Sequence, residues 1–134
     1  MAIQQMVNQE ISFDEAYEMI CDTEHQEAMD EGMKVMKKLA DDGDMHAAAV
    51  YGTACSFEHI GHYDLQECKK YLEMSIEAED PEGMYRVGLM MLNGEEPFNK
   101  DVVYGMWLMN KSAEAGHEGA ISYLKVRDRL KYLK

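Results

Sequence analysis

Methionine, leucine and alanine recur along the chain at three- and four-residue spacing, with charged and amide residues between them. That is the period of amphipathic helices. The pattern predicts helices over about 13–21, 23–41, 46–58, 64–79, 82–93, 101–115 and 119–132. Short polar residues mark their starts. Ser12, with Glu15 three residues on, reads as a capping box, and Asp64 and Asp101 as N-caps whose carboxylates accept backbone N–H groups. Gly43 and Gly116 read as left-handed residues closing helices, and Pro81 suits a first helical turn. Asn93-Gly94-Glu95-Glu96-Pro97 reads as a loop. Residues that favour strands are sparse, so the expected class is all-α.

The helices repeat. Met106–Ala120 aligns with Met33–Ala47 without a gap at an offset of 73 residues, and Lys69–Gly83 lies between them at offsets of 36 and 37. Ala47, Gly83 and Ala120 share one register position. Ala47-xxx-Tyr51-Gly52 matches Gly83-xxx-Val87-Gly88. Each unit reads as helix A, loop, helix B. A mid-helix glycine costs about 1 kcal/mol against alanine. Finding one at both Gly52 and Gly88 predicts a close helix crossing at each. The expected organisation is a single domain over 1–134: a degenerate unit 12–43, repeats 45–80 and 81–117, and a capping helix 119–132.

Gly83-Met84-Tyr85-Arg86-Val87-Gly88-Leu89-Met90-Met91-Leu92-Asn93-Gly94, then Asp101 through Leu108, then Lys111-Ser112-Ala113-Glu114-Ala115-Gly116-His117, resemble the Sel1-like repeat, a relative of the tetratricopeptide repeat. Unit 45–80 keeps Ala47, Gly52, Asp64 and Ala78 of that pattern but carries Glu58 where a loop glycine is expected. Met91 and Cys55 stand where an aromatic is usual. The resemblance implies a short right-handed α-solenoid of stacked antiparallel helix pairs whose A helices line a concave face that binds a partner protein or peptide. Transferred to this chain, the groove positions include Thr53 and Phe57, then Tyr85, Arg86, Leu89 and Asn93, then Tyr123 and Arg129. The implied role is a scaffold or adaptor without catalysis and without a cofactor.

Charge narrows the partners. The net charge is −13, which opposes binding to nucleic acid or an anionic membrane. Residues 10–31 hold nine acids and no Lys or Arg, whereas 120–134 hold five bases against Asp128 alone. Oppositely charged ends allow weak head-to-tail self-association. Met1–Glu10 shows no leader pattern, and no apolar run reaches the length of a membrane span. Three cysteines without framework spacing fit a reducing, cytoplasmic setting. The thirteen methionines read as flexible core filling.

One constellation carries a different chemistry. Cys55-x3-His59-x2-His62-x5-Cys68 straddles a helix–loop–helix turn, and two thiolates with two imidazoles would suit zinc. Those four residues define the alternative, a small metal- or redox-responsive protein; a disulfide joining Cys55 and Cys68 is also geometrically conceivable. The spacing matches no standard finger, so the scaffold reading leads. No nucleophile elbow or phosphate-binding loop is present in the sequence.

Overall fold

The structure, a computed structural model, describes residues 10–131. Met1–Gln9, most of the stretch without a leader pattern, and residues 132–134 at the basic end lie outside the described residues. Every regular element among the described residues is helical: α1 (Phe13–Cys21), α2 (Gln26–Asp41), α3 (Met45–Ala54), a 3-10 turn (Glu58–Ile60), α4 (Leu65–Glu77), α5 (Pro81–Asn93), α6 (Val102–Glu114) and α7 (Glu118–Lys131). None of them is long and apolar enough to cross a membrane.

The helix starts follow from their caps. The Ser12 hydroxyl accepts the Glu15 N–H and donates to the Glu15 carboxylate, so the second half of the box runs through the hydroxyl rather than the Ser12 backbone. Asp64 accepts from Gln66 and Glu67, and Asp101 from Tyr104. Asp44, Asp80 and His117 accept the N–H groups of Ala47, Gly83 and Ala120. The register position read as a packing site is thus also the third residue of three helices, where an orphan N–H needs a partner. Each such cap contributes about 1 kcal/mol.

The ends differ from expectation in two places. Helix α2 begins at Gln26 rather than near Thr23, because 22–25 form turns closed by the His25 N–H to the Asp22 carbonyl. Helix α3 ends at Ala54 rather than near Glu58. The Ser56 hydroxyl bonds back to the Thr53 carbonyl, and the chain turns through the 3-10 element to left-handed Gly61 (φ 88°). After α5, Gly94 (φ 70°) makes the left-handed turn directly after Asn93. The two loops nevertheless close alike: the Asp64 N–H bonds the Cys55 carbonyl, and the Asp101 N–H bonds the Met91 carbonyl.

Each helix packs on its neighbour in sequence, and α3 also packs on α5. The order of contacts fixes the direction. A Cβ on Gly88 would meet Gly105 and Met109, while one on Gly105 would meet Leu92 and Gly88, so α5 and α6 are antiparallel. Gly52 meets Cys68 and Leu72 in the same sense, and Gly32 meets Ala16 and Ile20. The main core includes Met29, Met33 and Met36 with Tyr51, Tyr71, Leu72, Met84 and Val87. A second cluster joins Leu92, Met109 and Ala120, flanked by Tyr85, Leu89 and Tyr123. Burying a side chain of this size contributes about 1.5–3 kcal/mol before packing losses are counted. The buried methionines act as core filling.

Candidate functional site

A cavity of about 260 Å³ opens between α1, α3, α5 and the 3-10 turn. Its apolar wall comes from Tyr17 and Ile20 of α1, Val50 and Ala54 of α3, then Phe57 and Ile60. Its polar edge comes from Thr53, His59, Glu82 and Arg86, with Cys21 and Thr23 at the end of α1. A second, shallower hollow shares Tyr17, Val50 and Glu82 with the first and adds Phe13, Asp14, Glu18 and His46. The two form one groove along α1, α3 and α5.

Thr53 is the feature that ordinary packing leaves unexplained. It is only 7% exposed, and among the described residues its hydroxyl is the one buried side-chain oxygen or nitrogen without a hydrogen-bond partner. A buried unpaired hydroxyl costs about 1–3 kcal/mol. Threonine on a helix can usually bond its own preceding turn, and Ser75 does so by donating to the Leu72 carbonyl.

Arg86 and Glu82 hold the far edge. The Arg86 Nε donates to Glu82 Oε1 at 2.8 Å, and the guanidinium lies over the Tyr85 ring. The His117 Nε2–H donates to the other Glu82 oxygen. The Ala120 N–H donates to His117 Nδ1 at 3.2 Å. Burial pushes the Glu82 carboxyl up, but the bonds from His117 and Arg86 outweigh it and hold the group below its ordinary value. Beside it, burial raises Asp80 and bonds from His46 and the Gly83 N–H overcome that rise. Phe13 stacks on His46 at 5.0 Å and on Tyr17 at 6.3 Å, giving an aromatic row along the shallower hollow.

Thr53, Phe57 and Arg86, three of the groove residues named from the resemblance, line the cavity. Tyr85, Leu89 and Tyr123 do not; they pack around the second cluster between α5, α6 and α7. The Tyr85 ring stacks on His117 at 4.5 Å. Asn93 donates to Glu95 at the end of α5, and Arg129 is exposed on α7. The α1 wall was missed because its unit looked degenerate. Ala16 lies 36 residues before Gly52, which lies 36 before Gly88. Carried back by that offset, Thr53 and Phe57 fall on Tyr17 and Cys21, and Arg86 falls on Val50 and then Asp14.

Cys55, His59, His62 and Cys68 do not converge, and no group of three or more His, Cys, Asp or Glu side chains arranged to hold a metal occurs among the described residues. Cys55 and Cys68 are buried, unbridged thiols. Burial pushes them up to about 11 and about 12, so both stay protonated at neutral pH and are poor nucleophiles and ligands. His62 pairs with Asp30 at 2.7 Å, while His59 stacks on Phe57 at the cavity. Comparison with protein-family models, curated proteins and solved structures returned no match to this chain.

Proposed function

We propose that this chain is a non-catalytic interaction module of the Sel1-like kind, a short right-handed α-solenoid that holds a partner protein or peptide in the groove along α1, α3 and α5. The observation that carries the reading is the cavity itself, a largely apolar hollow between three helices with Arg86 and Glu82 at its edge. The solenoid arrangement is supported by recurrence. Small residues meet at the crossings Ala16–Gly32, Gly52–Cys68 and Gly88–Gly105, spaced by 36 residues along the first helix of each pair. Left-handed corners recur at Gly43, Glu79 and Gly116. Unbridged thiols fit a reducing cytoplasmic setting.

A photo-crosslinking residue placed at Phe57, which is 41% exposed, tests the assignment against the same residue placed at Val103 on α6. The expected result is that a captured partner crosslinks from position 57. It should also be lost in a Thr53→Val, Arg86→Ala variant of unchanged helicity. Capture at full yield by that variant, with crosslinks from position 103 alone, overturns the groove.

A further inference from the structure

The groove is asymmetric in charge, and that asymmetry selects its guest. At the cavity edge charges pair, Arg86 with Glu82, and in the shallower hollow His46 stands beside Asp80 at 3.5 Å. Along α1 they do not. Asp14 and Glu18 stand one helical turn apart, line the shallower hollow, and form no ion pair among the described residues. Tyr17 stands on the same side of the helix and is 48% exposed, its ring continuing the aromatic row through Phe13 to His46. Two free carboxylates flanking an accessible aromatic face attract a cation, through the ring quadrupole as well as through charge. Residues 10–31 carry no Lys or Arg to supply that cation from within.

The adjoining cavity asks for something else. It has room for one large apolar side chain, set among Ile20, Val50, Ala54 and Ile60, with the buried, unpartnered Thr53 in the same wall. We propose that the groove takes a basic, amphipathic peptide segment, its apolar side chain filling the cavity beside Thr53 and a neighbouring Lys or Arg lying against Tyr17 between Asp14 and Glu18. The inference rests on the groove reading above and names the chemistry of the partner. An anionic guest would meet the unpaired carboxylates of Asp14 and Glu18 along the shallower hollow and is disfavoured for that reason.

The test uses the full chain and three families of labelled synthetic peptides, each with one central Leu or Phe flanked by Lys, by Gln or by Glu. Binding is read by fluorescence anisotropy and by the alkylation rate of Cys21, the exposed thiol that lines the cavity. The Lys-flanked family should bind about tenfold tighter than the Gln-flanked one, the advantage expected of two exposed ion pairs. That advantage should fade with salt, vanish in Asp14→Asn, Glu18→Gln, and come with slowed Cys21 alkylation. Both substitutions are isosteric and exposed, so circular dichroism should show an intact fold. Equal or tighter binding of the Gln- or Glu-flanked peptides overturns the basic-partner assignment while leaving the groove standing. Lys-flanked binding that neither protects Cys21 nor responds to the two substitutions overturns it as non-specific, and so does absence of binding by all three families. The groove itself falls only to the crosslinking result at positions 57 and 103.

Discussion

A Cβ built on Gly83 would stand 2.0 Å from Ser75 Oγ and 2.7 Å from Ser75 Cβ. Ala47 and Ala120 are likewise the third residues of α3 and α7 and are fully buried. What sets Gly83 apart is the Ser75 hydroxyl. Ser75 keeps its hydroxyl on α4 by donating to the Leu72 carbonyl, whereas Ser112, its counterpart on α6, donates across to the Pro81 carbonyl. Gly83→Ala should therefore destabilise by about 1–3 kcal/mol, the usual range for overpacking, despite the better helix propensity of alanine. Chemical denaturation measures it. Combining it with Ser75→Gly should cost less than the sum of the single changes; simple additivity would mean that the two sites do not touch.

The crossing of α5 and α6 should be still less tolerant. Gly88 and Gly105 approach so that a Cβ on Gly88 would lie 3.1 Å from the Gly105 carbonyl oxygen, a backbone atom that cannot swing aside. Gly88→Leu should lower the melting temperature by many degrees, from a loss of at least about 2 kcal/mol. An unchanged melting temperature would show that the two helices do not cross at this point.

Glu79 offers a gain. It sits at φ 56°, the left-handed conformation that Gly43 and Gly116 take at the matching corners. Left-handed backbone strains a residue with a Cβ by about 1–2 kcal/mol. Its carboxylate reaches Lys111 at 3.3 Å but is mostly exposed, so that pair contributes about 0–1 kcal/mol. Glu79→Gly should stabilise the protein by up to about 1 kcal/mol. Glu79→Ala, which loses the pair and keeps the strain, should not.

Stability should pass through a maximum in mildly acidic solution. Asp80 and Glu82 are held below their ordinary values of 3.8 and 4.5, so their contributions are full above those values and vanish as pH falls through the lowered ones. The bond to Asp80 raises His46 above its ordinary 6.5, so its contribution is full below 6.5 and is lost as pH rises through the raised value. The three together favour the window between 4.5 and 6.5. In Glu82→Gln the acid limb of a melting-temperature profile should flatten, and in His46→Ala the alkaline limb should.

The thiols should react unequally. Cys21 is exposed, while burial raises Cys55 and Cys68 to about 11 and about 12. Alkylation of native protein near pH 8, read by mass spectrometry, should stop at one adduct and reach three only after unfolding. Rapid addition of three to the native protein would contradict the buried thiols.

Local chemistry made most of the helical layout legible in the chain itself. Asp64, Asp101, Gly43, Gly116 and Pro81 act through backbone groups within a few residues, so their roles can be read without knowing the fold. The small residues at Gly52 and Gly88 announced close crossings because a mid-helix glycine is otherwise a loss. The groove was different. Thr53 and Phe57 were named from the family resemblance, but the hydroxyl of Thr53 is unsatisfied only because of how its surroundings pack, and no sequence pattern encodes a missing partner. Tyr85, Leu89 and Tyr123 show the same limit from the other side. They stand at groove register but turn into the packing with α6 and α7, since an apolar face goes where a neighbour removes it from water. Sequence by itself determined the helices and their caps, because these depend on near neighbours. Only the tertiary structure decided which faces stayed open, because that depends on contacts such as His117 with Glu82, made 35 residues apart along the chain.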